Sequence, residues 1–120
     1  MKRNFRIEIR NEKESAQDFV NAWHRAQKGM APEQPVDRIY FKDLNTLLRV
    51  LTPRRMEAIK AVHDNGPVSF RALAKFLGRD YKNVHKDMQE MERIGIVVQD
   101  KKGLLVVPWQ RIIAELALAA

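Results

Sequence analysis

LGRDYKNVHKDMQEMERIG, from Leu77 to Gly95, is the stretch on which the reading of the whole chain turns. Gly78 can end a helix, and Asp80 can cap the next one, because a short carboxylate accepts from the free amides two or three residues on. Projected at about 100° per residue, Val84, Met88 and Met91 share one side, with Ile94 near its edge. Lys82, Lys86, Gln89 and Arg93 fall on the opposite side, flanked by Asn83 and His85. Asp87, Glu90 and Glu92 gather in the C-terminal half, and Gly95 stops the run. The spacing predicts an amphipathic helix with methionines inward and lysines outward.

Working upstream, Ser69 caps a short helix whose stripe is Phe70, Leu73, Ala74 and Leu77. Before it, Thr52-Pro53 marks a helix start, since proline at the first helical position loses no needed hydrogen bond. Met56, Ile59, Val62 and His63 carry that helix to Gly66, which is expected to adopt the left-handed C-terminal conformation. Leu44, Leu47, Leu48 and Leu51 form an earlier helical stripe. Downstream, Ile96–Gln99, the turn Asp100-Lys101-Lys102-Gly103, and Leu104–Val107 read as a β-hairpin. Helix, short helix, tight turn, longer helix and hairpin, in that order from Pro53 to Val107, is the order of a winged helix-turn-helix. The expected fold class is therefore α+β, with that unit at residues 42–108.

The ends frame it. Phe5, Ile7 and Ile9 alternate with charged residues, which is strand periodicity. Ser15 caps an expected helix over 15–28 with Ala16, Phe19, Trp23 and Ala26 on one stripe; Asp18 suits its positive end. Gly29–Pro35 reads as a linker and Arg38–Phe41 as a second strand. Residues 1–41 thus form a strand-helix-strand extension. Too small to fold alone, it must pack on the rest of the chain, on a second copy or on a partner. Residues 109–120 fit either a strand or a helix; the need of strand 4–10 for a neighbour, within or across chains, favours the strand.

The chain has 120 residues, no cysteine, a net charge of +7 and a pI near 10.0. Disulfides and thiolate metal sites are excluded, and a reducing cytoplasm fits. No apolar run spans a bilayer and the charged N-terminus does not read as a signal peptide, so no membrane partner is expected. The basic excess favours a polyanion. A helix set steeply on a short turn fits the DNA major groove and reads bases with its N-terminal half. The expected DNA-binding residues are Ser69, Arg71, Arg79, Tyr81, Lys82, Asn83, His85, Lys86, Gln89, Lys101 and Lys102. Ser69 and Arg71 open a helix whose amides attract phosphate. Lysine pairs with guanine or phosphate, and Asn and Gln pair with adenine. Lys101 and Lys102 sit at the hairpin tip. Arg54 and Arg55 stand where a helix start disfavours positive charge, which hints at an external anion.

Three runs carry a resemblance: Leu47–Arg55 (LLRVLTPRR), Gly66–Ala74 (GPVSFRALA) and, most specifically, Leu77–Asp87 (LGRDYKNVHKD). The chain resembles a family of small prokaryotic transcriptional regulators with MarR/ArsR-like winged helices over roughly residues 37–112, and Val107-Pro108-Trp109 after the hairpin agrees. The resemblance implies a DNA-binding regulator, with repression as the expected output. Some similar proteins look like the antitoxin half of toxin–antitoxin pairs, so a small toxin protein is an alternative partner.

His24, His63 and His85 lack metal-ligand spacing, and no phosphate loop, nucleophile elbow or zincin motif occurs. Neither an enzyme nor a cofactor is expected. RNA binding is a further alternative, weakened by the lack of interleaved exposed aromatics apart from Tyr81. A symmetric dimer on a palindromic site is the expected assembly.

Overall fold

Each helix begins where a short polar side chain takes up a free amide. In the computed structural model, which describes residues 3–10 and 37–118, Asp43 accepts from the Thr46 amide ahead of α1 (Leu44–Val50). Thr52 accepts from the Arg55 amide ahead of α2 (Pro53–Asn65). Ser69 accepts from Ala72 before α3 (Phe70–Leu77), and Asp80 from Asn83 before α4 (Tyr81–Ile94). Such a cap contributes about 1 kcal/mol. Gly78 and Gly95 end α3 and α4 with φ of 64° and 95°, where a side chain would crowd the following carbonyl.

Gly66 departs from expectation: its φ is −73° and its backbone extended. Glycine is required there for space. A Cβ at Gly66 would lie 2.5 Å from the Val62 carbonyl oxygen and 3.1 Å from that of Leu105. The latter belongs to the hairpin of β3 (Val98–Gln99) and β4 (Leu105–Val106), which pairs antiparallel with Val98 opposite Val106. Val68 exchanges backbone hydrogen bonds with Leu105, tying the α2–α3 loop to the hairpin. The expected four-residue strands shorten to a two-residue ladder, although Ile96 and Val97 are buried.

The remaining strands form a second sheet in the order β2-β1-β5: β2 (Arg38–Phe41), β1 (Asn4–Ile9) and β5 (Arg111–Leu116). Both neighbours run parallel to β1. The C-terminal segment is thus a strand, and its partner is β1 of the same chain. Its residues satisfy both periodicities, and the open side of β1 decides between them. The expected helix over 15–28 and linker Gly29–Pro35 lie outside the described residues.

Phe5 and Ile7 enter one core with Leu73, Val84, Met88, Met91, Ile96, Leu105 and Trp109. Burying each large apolar side chain contributes roughly 1.5–3 kcal/mol. The α2 face is rotated from the expected stripe: Ala58, Ile59, Ala61 and Val62 are buried, whereas Met56 is exposed. The two alanines allow close approach. On α1 only Leu47 of the leucine stripe is buried; Leu44 and Leu48 are exposed. Trp109 ties β1 to the chain that leaves α4. Its indole N–H donates to the carbonyls of Gly95 and Ile96 at 3.3 and 3.0 Å, and its ring lies 5.3 Å from that of Phe5. Among the described residues no helix is long and apolar enough to cross a membrane.

Candidate nucleic-acid interface

The burial pattern of α4 sorts its residues by side. Val84, Met88 and Met91 are fully buried, while Lys82, Asn83, Lys86, Gln89 and Arg93 are exposed. The amphipathic spacing therefore leaves a continuous polar stripe facing solvent. Among the described residues no ion pair engages Lys82 or Lys86.

The acidic residues of this helix each have a partner. Asp87 accepts from Arg79 Nη2 at 2.7 Å and from Arg55 Nε at 3.1 Å. Burial alone pushes the Asp87 carboxyl up, but hydrogen bonds from Arg79 and then Arg55, with their charge, hold it below the ordinary carboxylate range. Glu90 pairs with Arg93 at 2.7 Å; that hydrogen bond, ahead of any other cause, lowers its pKa. Glu92 accepts from the Gln99 side chain at 3.0 and 3.1 Å, which fastens β3 to the far half of α4. The negative charge is thus engaged by neighbouring cations and donors, and the lysines keep theirs for solvent.

Arg55 and Arg79 have roles that spacing did not reveal. Arg55 also donates to the Val50 carbonyl at 2.7 Å. The oddity of arginine at a helix start is therefore answered inside the protein, by a carboxylate and a carbonyl. Arg79, expected to face DNA, turns inward: its side chain is 16% exposed and spans the α3–α4 turn to Asp87. Its Nη1 is buried and has no hydrogen-bond partner among the described residues. Arg54, by contrast, is exposed and borders a shallow cleft with Glu57, Leu77, Gly78, Asp80 and Asn83.

The first turns of α3 and α4 meet in a ring cluster. His85 is half-buried, with its ring 4.4 Å from Phe70 and 5.7 Å from Tyr81. Arg71 lies over Tyr81, 5.3 Å from the ring centre. These contacts bring Arg71, Tyr81 and His85 together at the start of the polar stripe and restrict their rotamers. Ser69 is close by in sequence, its hydroxyl engaged in the α3 cap at 3.1 Å.

Lys101 and Lys102 are exposed at the hairpin tip. Asp100 shapes that turn by accepting from the amides of Lys102 and Leu104 at 2.9 and 3.0 Å, and Gly103 completes it with φ of 79°. His63 is exposed and hydrogen-bonds Asp64 at 2.9 Å. No group of histidines and carboxylates among the described residues could hold a metal ion.

The family model HVO_A0114 matches residues 50–114, from the end of α1 to within β5. No curated protein and no solved structure matches the chain.

Proposed function

We propose that this chain, which belongs to the HVO_A0114 family, is a sequence-specific double-stranded DNA-binding transcriptional regulator with a MarR/ArsR-like winged helix-turn-helix. In this reading residues 42–108 are the DNA-binding unit, and the protein acts as a symmetric dimeric repressor. The observation that carries it is the exposed stripe of α4, with Lys82, Asn83, Lys86 and Gln89 outward and the helix's carboxylates engaged by Arg55, Arg79, Arg93 and Gln99 rather than by the lysines. A helix of 14 residues is about 21 Å long, enough to lie in a major groove.

The N-terminal half of α4 enters the groove. Lys82 and Lys86 contact guanine acceptors or phosphates, and Asn83 and Gln89 pair with adenine edges. Arg71, steadied on Tyr81, and the first amides of α3 grip the flanking phosphate. Lys101 and Lys102 reach the backbone beside the groove, as a wing does. Arg79 acts from inside, holding the α3–α4 turn against α4 through Asp87.

Selection from random duplexes should yield a preferred site, and Lys82→Ala with Lys86→Ala should weaken binding to it. Each lost phosphate contact flattens the slope of log affinity against log salt by about 1. Unchanged affinity and slope in the double variant would reject α4 as the reading helix.

A further inference from the structure

Among the described residues, strand β5 is an edge of the three-stranded sheet. Among the described strands it pairs with β1 alone. In that register Ile112, Ala114 and Leu116 lie beside Phe5, Ile7 and Ile9, on the side of the sheet that faces the core. Yet Ala114 is exposed, Leu116 is 48% exposed, and Leu118 beyond the strand is 94% exposed. The core that seals Phe5 and Ile7 reaches Ile112 but not Ala114 or Leu116. Proteins blunt such edges with charged side chains, above all lysine, or with proline; Arg111–Leu116 has neither lysine nor proline, and its two charges, Arg111 and Glu115, are of opposite sign. The opposite edge, β2, has four residues, and its Arg38 is paired with Glu8.

We infer that β5 is the surface on which two copies of this chain meet, pairing antiparallel about a two-fold axis at Ile113. The inference deepens the symmetric-dimer part of the function proposed above and rests on it. The placement of charge on β5 selects a second copy as the occupant. Centred on Ile113, the pair sets Arg111 directly opposite Glu115 of the other copy, twice by symmetry. Ile112 then faces Ala114, and Ile113 faces itself. Moving the centre by one residue in either direction sets Arg111 or Glu115 opposite an isoleucine. Only the Ile113-centred register among these matches both charges and gathers the apolar residues between them. The self-complementary edge is what an isologous contact requires, and it would join two sheets into one of six strands. Within one chain Glu115 reaches Arg6 only at 3.9 Å, with both side chains largely exposed. It therefore remains open to a second arginine.

The test is a charge-swap series on the full chain, followed by sedimentation velocity across a micromolar concentration range. The wild-type chain should be dimeric. Arg111→Glu and Glu115→Arg should each place like charges across the interface and raise the dimer dissociation constant on the order of ten-fold. The double swap should restore it to within about three-fold. Rescue cannot come from Arg6, which faces an arginine in the double variant. A monomeric wild type, indifferent single swaps or a double swap no tighter than the singles would each overturn the proposal. Far-UV circular dichroism confirms folding, since both positions are exposed. A short duplex carrying one half-site separates this idea from the DNA reading. Arg111→Glu, held below its dimer dissociation constant, should still bind it through Lys82 and Lys86; failure of the wild type to bind it would sink the DNA reading and leave the dimer standing.

Discussion

Replacing Asp87 by Asn should lower stability while leaving DNA affinity intact or slightly raised. The substitution preserves shape but turns one carboxylate oxygen into an amide facing a guanidinium. Two charge-assisted bonds are lost, at 2.7 and 3.1 Å, from arginines whose side chains are both 16% exposed. An exposed pair is worth under about 1 kcal/mol, whereas breaking a buried one costs roughly 3–5 kcal/mol. At this exposure water reaches part of each group, so the expected loss is about 2–3 kcal/mol. For a chain of this length that corresponds to a fall in Tm of roughly 10 °C. Urea denaturation followed by far-UV circular dichroism measures it directly. Combining the change with Arg79→Met in a double-mutant cycle should show a coupling of at least about 1 kcal/mol. Below the melting range the variant lacks a negative charge beside Lys86, so binding to duplex DNA should hold or tighten by a few-fold. A stability change under about 0.5 kcal/mol, or a loss of affinity in the folded variant, would refute the role given to the Arg55–Asp87–Arg79 group.

The two glycines flanking α3 should respond differently to alanine. Gly66→Ala drives a methyl into two backbone oxygens and should cost about 2–3 kcal/mol, while Gly78→Ala meets no atom within 4 Å and should cost only the left-handed strain, about 1 kcal/mol; denaturant midpoints rank them, and equal effects would contradict the contact. Acid should destabilise the fold through the same Asp87 carboxylate. Its pKa is lower folded than unfolded, so its contribution is present above the unfolded value of about 3.9 and is lost as the pH falls through the folded value; Asp87→Asn should flatten that part of a stability–pH curve. Asn83→Ala or Gln89→Ala should broaden the selected sequence more than it weakens overall affinity, and a uniform loss across sequences would reassign both to the backbone.

What the sequence revealed was local. Thr52, Ser69 and Asp80 announce their helices because a cap needs only three residues of context, and the Val84, Met88, Met91 spacing identifies a buried face without knowing what covers it. The outward stripe of α4 follows from the same geometry. Arg79 was misplaced because its partner is chosen by folding: Asp87 lies eight positions on, across the α3–α4 turn, and the third member, Arg55, is 32 positions from Asp87, so neither spacing nor composition brings the group together. The rotation of α2 toward Ala58 and Ala61 was hidden for a related reason, since alanine signals helix without signalling burial. The C-terminal segment satisfied two periods at once, and only the neighbouring β1 resolves it. The parallel direction of both pairings in that sheet is set by chain crossings that leave no mark on the residues themselves.

The position of β1 between its two neighbours has a consequence for how the molecule comes to be made. Phe5 and Ile7 are made about a hundred residues before the strand that pairs with their far side. Until then β1 has β2 on one side and an unpaired edge on the other, while α2, α3 and α4 can assemble from short-range contacts. Closure of the sheet over Trp109 should therefore be the late event, and the interval before it the time at which the nascent chain is most exposed to aggregation.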